Sequence, residues 1–197
     1  MDLSAIPLWL KIAYTAFVAV IVPVYLRYWG VGNFLWFSDL ALFATLFALW
    51  LESSLIASMA AVAVLLPEVV WNIDFFGRLA TGKRAGGLAG YMFDARQPLY
   101  VRALSLFHVF LPVLLLWLIY VLGYARQAWL AQSLVACIVL PLSYFATARE
   151  QNVNWVYGPG SKPQTRIAPH VYLLLVMLGF PLLIYLPTHF ILRQIFE

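Results

Sequence analysis

Three ionisable residues lie inside long apolar stretches of this sequence. Asp39 stands in FLWFSDLALF, Glu68 in LPEVVWNIDFF and His108 in SLFHVFLP. Ionisable side chains are costly inside a membrane, so they usually face the interior of a helical bundle and pair with one another. The simplest alternative is that such contacts only hold helices together, since polar contacts between membrane helices are modest in strength. We interpret the three residues as one functional site.

Residue counting places these side chains at a similar depth. At about 1.5 Å per helical residue, Glu68 and His108 lie roughly 12 Å, and Asp39 roughly 9 Å, from the same side of the membrane. We therefore expect the Glu68 carboxylate to face the bundle interior, within direct or one-water reach of His108 or Asp39. Asn72, one helical turn after Glu68, is expected to donate a further hydrogen bond to this carboxylate.

Several kinds of chemistry fit a site of this composition. His108 can act as a general base, oriented by a carboxylate, toward water or the hydroxyl of Ser38. The same groups can also hold a divalent metal or form a proton or small-molecule path. No His-x-x-x-His or Glu-x-x-His spacing supports the metal strongly, so we assign no metal ligands and leave open whether a metal sits between Asp39, Glu68 and His108. The catalytic candidates are His108, Glu68, Asp39 and Ser38.

We expect no cofactor at this site. A b-type haem bound by two histidines needs both of them on one iron, and His108 and His189 are the histidines deep within apolar stretches. They are separated by roughly 18 Å in depth, so a single iron cannot bind both.

Polar groups near the ends of the apolar stretches suit a lipid headgroup. Amides, a guanidinium and an indole at the mouth of a site can bind such a group, although the amides could equally cap loop backbone. The substrate-binding candidates are Asn72, Arg102, Asn152, Asn154 and Trp155.

The composition identifies the class of protein. Of the 197 residues, 64% are hydrophobic and only 10% are charged, whereas a soluble domain has about a quarter of its residues charged. The chain is therefore predicted to be a single transmembrane helical domain over residues 1–197, with membrane lipid as its partner. The net charge of +4 is explained by membrane topology, and we expect no nucleic acid. A further membrane-protein partner is left open.

The fold class predicted is all-α, a bundle of six transmembrane helices. A helix needs about 20 apolar residues to cross the hydrocarbon, and such stretches occur at 6–28, 33–51, 54–76, 100–122, 128–148 and 169–192. Two longer connections remain, at 77–99 and 149–168. The first mixes apolar and basic residues, so part of it is expected to lie along the membrane interface.

The basic residues predict the orientation. Nine of them fall on the side that carries the two longer connections, and Lys11, Arg126 and Arg193 fall on the other side. Cytoplasmic loops are enriched in Lys and Arg, so we expect a multi-pass protein of the cell membrane with both termini extracytoplasmic.

Three segments resemble a known family. NFLWFSDLALF, LFHVFLPVLL and the loop NVNWVYGPGSKP are similar to the androgen-induced family of multi-pass membrane hydrolases and its distant bacterial relatives. That family cleaves fatty-acid esters of hydroxy fatty acids with a Thr and a His, and a related acyltransferase family uses a Cys–His pair. The resemblance implies that His108 is the catalytic histidine. The family's nucleophilic threonine falls on Trp36, and Ser38 is two residues away.

The sequence thus predicts a membrane-embedded enzyme that hydrolyses or transfers an acyl ester of a lipid or amphiphile. Two alternatives remain open. One is a non-enzymatic subunit or assembly factor of a larger complex, and the other is a small-molecule or proton transporter. An enzyme requires Asp39, Glu68 and His108 to converge beside an opening that a lipid can reach.

Overall fold

The structure is a computed structural model that describes residues 5–83, 87–160 and 163–197. Two of the basic residues used for the orientation, Arg84 and Lys162, lie outside these ranges. The helices are α1 (Leu8–Trp29), α2 (Phe37–Leu51), α3 (Ser54–Thr81), α4 (Leu99–Leu104), α5 (Phe107–Leu122), α6 (Ala128–Ala146), α7 (Pro169–Gly179) and α8 (Leu186–Phe196). Short 3₁₀ segments occur at Val31–Leu35, Gly90–Phe93 and Val153–Trp155, and a π-helical segment, Phe180–Tyr185, joins α7 to α8.

The predicted all-α bundle is confirmed, and the described residues contain no strand. In the part of the chain that the structure describes, six helical rods form the bundle, because α4 with α5, and α7 with α8, each make one apolar stretch. Five rods are long and apolar enough to cross a membrane, and the shorter one is α2, with 15 residues. Large apolar side chains such as Trp9, Phe47, Val113 and Leu183 are exposed on the outside of the bundle, as expected of a surface that faces lipid.

The second helix begins later than predicted. The apolar stretch starts at residue 33, but residues 31–35 form a 3₁₀ turn and α2 begins only at Phe37. Trp36 has an extended ψ of 137°, which separates the two segments. Asp39 therefore lies in the first turn of α2, where a carboxylate favours the positive end of the helix dipole. The continuous helix from residue 33, on which the predicted depth of roughly 9 Å was counted, is therefore wrong.

The fourth predicted span is also interrupted. α4 ends at Leu104 and α5 begins at Phe107, and between them the backbone forms tighter i→i+3 bonds from Leu106 to Ala103 and from His108 to Ser105. His108 is consequently the second residue of α5. The remaining boundaries differ from prediction by a few residues, the largest shift being α3, which continues to Thr81 until Gly82, with φ of 69°, ends it.

α3 occupies the middle of the bundle and packs against α2, α5 and α6. Its first half is rich in small buried residues, including Ala57, Ser58, Ala60 and Ala61. Small side chains let neighbouring helix backbones approach closely, which is the main source of helix association in lipid. The second half carries Glu68, Trp71 and Asp74, all buried.

Contacts at the two ends show that α1 runs antiparallel to α2 and to the rod formed by α4 and α5. Lys11, at the start of α1, forms a 2.7 Å ion pair with Glu52, after the end of α2. At the opposite end of α1, the hydroxyls of Tyr25 and Ser105 are 2.6 Å apart. We call the latter the site end of the bundle.

Part of the connection between α3 and α4 packs onto the site end. The Ala89 amide donates to Asp74 at 2.8 Å, and Ala89 and Met92 are buried against Trp71. The Arg78 guanidinium lies over the Phe93 ring at 4.4 Å. This part of the connection therefore lies on the helix ends, as expected for a segment at the membrane interface.

Candidate functional site

Glu68 and His108 form a direct pair between α3 and α5. His108 Nδ1 lies 2.8 Å from Oε1 and 2.8 Å from Oε2 of the Glu68 carboxylate. Both side chains are largely buried, with 13% of His108 and 3% of Glu68 exposed. The structure thus forms the contact that the sequence led us to expect. A carboxylate on Nδ1 fixes the ring orientation and leaves Nε2 to exchange a proton, which is how a general base is positioned.

Two aromatic rings fix the plane of the His108 imidazole. The Trp71 ring stacks on it at 4.6 Å between centroids, and the Phe107 ring stacks at 4.1 Å. Trp71 comes from α3, three residues after Glu68, so one helix supplies both a hydrogen bond and a stacking partner. The Trp71 indole N–H is buried and has no hydrogen-bond partner within the described residues. His108 is therefore held by contacts on three sides.

Asn72 makes a different contact from the predicted one. Its Nδ2 donates to the backbone carbonyls of Glu68 at 2.8 Å and of His108 at 2.7 Å, so the expected bond to the Glu68 carboxylate is wrong. The reason lies in α5. The His108 carbonyl would normally accept from the amide four residues later, but that residue is Pro112, which has no N–H. Asn72 supplies the missing donor.

Asp39 lies on the same cavity and makes one hydrogen bond. Its Oδ2 accepts from Asn33 Nδ2 at 3.2 Å. Its other oxygen, Oδ1, is buried without a hydrogen-bond partner in the described chain, and the residue is only 4% exposed. Asp39 forms no ion pair with a described residue.

A cavity of about 630 Å³ joins these groups at the site end. This volume is within the range of small-molecule and lipid-headgroup pockets. His108, Glu68, Asp39 and Ser38 all line it, as do Asn152, Asn154 and Trp155. The structure therefore brings all four catalytic candidates, and three of the five substrate-binding candidates, to one space between α2, α3 and α5.

The loop at 150–160 covers one side of the cavity through a rigid network. Asn154 accepts from the Phe37 amide at 3.0 Å and donates to the Leu35 carbonyl at 2.7 Å and to Ser143 Oγ at 3.2 Å. Asn152 accepts from the Tyr157 amide and donates to the carbonyls of Gly158 and Gly160 at 2.8 and 2.9 Å. Both amides are thus used within the protein, which favours the capping interpretation over direct headgroup binding.

Three residues of this loop have left-handed backbone. Asn152, Asn154 and Trp155 have φ values of 44°, 52° and 58°. Asn tolerates this region, but a large aromatic residue rarely adopts it, and such strain persists only where surrounding contacts enforce it. Here the enforcing contacts are the hydrogen bonds of the Asn152 and Asn154 side-chain amides. They hold the loop in the conformation in which Trp155 lines the cavity.

The remaining candidate, Arg102, does not line the cavity. Its guanidinium donates to the Met92 carbonyl at 3.0 Å, so it anchors the connection that precedes α4. Tyr91 of that connection does line the cavity. Burial raises the pKa of the Tyr91 phenol, which keeps it a neutral hydrogen-bond donor.

Sequence reasoning missed Trp71, Tyr25 and Ser105, all of which line the cavity. Trp71 could have been found from its spacing, because it follows Glu68 by three residues and so lies near it on one helix face. Within the described chain, no group of three or more His, Cys, Asp or Glu residues is arranged to hold a metal ion. The pair and its aromatic neighbours, in contrast, have the geometry that a positioned base needs.

Comparison of the chain with protein-family models, with curated proteins and with solved structures finds no match. The resemblance to the androgen-induced family therefore stays a prediction.

Proposed function

We propose that the protein is a membrane-embedded enzyme that cleaves or transfers an acyl ester of a lipid or amphiphile at this cavity. The observation that carries the proposal is the Glu68–His108 pair, held by stacking and placed on the wall of a cavity of about 630 Å³. A contact that served only to join two helices would not require an adjoining cavity. Within the described residues, His108 Nε2 makes no hydrogen bond that would block proton exchange.

In hydrolysis, His108 Nε2 takes a proton from water as the water oxygen attacks the ester carbonyl carbon. The tetrahedral intermediate then breaks its bond to the alcohol oxygen, and the imidazolium returns the proton to that oxygen. The products are a carboxylic acid and an alcohol. Glu68 accepts the hydrogen bond from His108 Nδ1 and stabilises the imidazolium, as the carboxylate does in a catalytic triad.

Two further groups support this chemistry. Ser38 lines the cavity, and in acyl transfer its hydroxyl would replace water as the nucleophile, with a second alcohol later accepting the acyl group. Trp71 stacks on the His108 ring at 4.6 Å between centroids and so keeps the imidazole in place on the cavity wall.

Hydrolysis can be tested with the purified protein in lipid nanodiscs. Mass spectrometry would measure fatty acid released from diacyl phospholipids and from fatty-acid esters of hydroxy fatty acids. His108→Gln is expected to lower the rate by about 10²–10⁴-fold, the usual contribution of a general base. Glu68→Gln is expected to lower it by a smaller factor while the fold is retained.

A matched control is available on another helix. His189 also lies on a membrane helix and also pairs with a neighbour, Tyr124, at 2.8 Å, but it does not line the cavity. His189→Gln should therefore leave the rate unchanged. If Glu68→Gln and His108→Gln only lower the melting temperature, or if no ester class is cleaved, the pair is structural and the proposal fails.

The nucleophile can be identified separately. A fluorophosphonate probe that labels Ser38, with the label lost in Ser38→Ala, would assign the acyl-enzyme route. Release that continues in Ser38→Ala would assign direct attack by water.

A further inference from the structure

The cavity is acidic although the protein is basic. Its lining contains three carboxylates, Asp39, Glu68 and Glu150, and none of the described Lys or Arg residues. Of these, Glu68 is paired with His108. Asp39 and Glu150 form no ion pair with any described residue. The lining thus holds carboxyl groups with no described Lys or Arg beside them.

Asp39 provides the most specific sign of a missing partner. Its Oδ1 is buried and receives no hydrogen bond from the described chain, although its Oδ2 accepts from Asn33. An ionised carboxyl is unfavourable in a buried position without a partner, and a cation in the cavity would favour the ionised form of Asp39 by supplying the opposite charge.

Aromatic side chains surround the same space. The cavity lining includes indoles and phenols from four separate segments of the chain: Tyr25, Trp29, Trp36, Trp71, Tyr91 and Trp155. Trp36 precedes Asp39 by three residues, so a carboxylate and an indole approach the cavity from one turn of chain. Aromatic faces with a nearby carboxylate are the groups that recognise an ammonium ligand through cation–π contacts.

We infer that the amphiphile bound in this cavity carries an ammonium group, such as the choline headgroup of a phospholipid. The inference rests on the proposed function only in placing the substrate in this cavity. It differs from what the family resemblance implies, because a fatty-acid ester of a hydroxy fatty acid has no ammonium group for the aromatic and carboxyl side chains of the lining to bind.

The test compares two lysophospholipids with the same acyl chain. Lysophosphatidylcholine and lysophosphatidylglycerol would be titrated into the full-length protein in nanodiscs, with binding read from tryptophan fluorescence. The choline lipid is expected to bind at least tenfold more tightly. Asp39→Asn, which keeps an oxygen acceptor for Asn33, should remove that preference, and Glu150→Gln should reduce it if Asp39→Asn fails to fold.

Control variants separate this inference from the proposed function. Asp94→Asn removes a carboxylate that is paired with Arg96 at 2.7 Å and does not line the cavity, so the preference should remain. His108→Gln should abolish hydrolysis and keep choline-lipid binding. Binding without hydrolysis in the wild type would defeat the proposed function alone.

Two outcomes would overturn the inference. One is equal or tighter binding of lysophosphatidylglycerol, and the other is an unchanged preference in folded Asp39→Asn. Competition by free choline at the same concentration as the lysolipid would overturn the lipid source, because a soluble ammonium compound would then suffice.

Discussion

Asn72 connects the two helices that carry the Glu68–His108 pair. By donating to the His108 carbonyl it replaces the amide that Pro112 lacks, and by donating to the Glu68 carbonyl it fixes its own rotamer. The position of His108 therefore depends on the side-chain amide of Asn72 on α3. This amide donates to the backbone carbonyl that Pro112 leaves without a donor on α5.

This explanation predicts a specific coupling between Asn72 and Pro112. Asn72→Ala leaves the His108 carbonyl without a donor and should cost about 1–3 kcal/mol of stability. In a Pro112→Ala background, the alanine N–H can satisfy that carbonyl, so the same change should cost clearly less. A double-mutant cycle from thermal or denaturant unfolding in micelles measures the difference.

A control for this cycle is Ser133→Ala, which removes only a bond from Ser133 Oγ to the Trp129 carbonyl on α6. It should show no coupling to Pro112→Ala. Equal costs of Asn72→Ala in both backgrounds would contradict the assigned role.

The pairing of Glu68 with His108 could be predicted from sequence because two ionisable residues in apolar stretches have few other partners. The contact of Asn72 could not be predicted as easily. Its signal was the proline four residues after His108, which is informative only once α3 and α5 are known to be neighbours. Asp39 was placed on the right cavity although the continuous helix assumed for it was wrong.

At the scale of elements, the loop at 150–160 determines where α2 begins. Asn154 accepts from the Phe37 amide, the first of the helix, and Trp36 offers no side-chain cap. The donor groups at a helix start need such acceptors. Local sequence alone predicted a start at residue 33, because the acceptor comes from a segment more than a hundred residues away.

Two substitutions at Asn154 separate its two functions. Asn154→Ala removes the acceptor and should cost about 1 kcal/mol or more, the usual value for a lost helix cap. Asn154→Asp keeps an acceptor for Phe37 and loses the donors to Leu35 and Ser143. Hydrogen exchange at the Phe37 amide should therefore accelerate in Asn154→Ala and stay protected in Asn154→Asp.

A control variant in the same connection is Gln164→Ala. Among the described residues, Gln164 forms hydrogen bonds only with residues that closely follow it in sequence and with the Tyr157 carbonyl. The Phe37 amide should be unaffected there. Unchanged exchange in Asn154→Ala would show that the loop does not cap α2.

For the whole molecule, the all-α bundle followed from composition and from the length of the apolar stretches. α2 is the exception, since 15 residues span about 22 Å of a hydrocarbon layer of about 30 Å. The preceding 3₁₀ turn extends it toward the site end. If α2 also crosses the membrane, the chain crosses six times and the two termini lie on one side.

The distribution of basic residues predicts six crossings, with both termini on one side. Of the described basic residues, three lie at the end that carries both termini, namely Lys11, Arg126 and Arg193, and the others lie at the site end: Arg27, Arg78, Lys83, Arg96, Arg102, Arg149 and Arg166. Since basic residues are retained in the cytoplasm, the site end should be cytoplasmic and both termini extracytoplasmic.

Alkaline phosphatase fused at Glu197, or after Glu52, should be active, and green fluorescent protein there should be dark. A fusion after Lys83 should show the reverse. Fluorescence at Glu197 without phosphatase activity would contradict this topology, and phosphatase activity at Glu197 but not at Glu52 would contradict a crossing by α2.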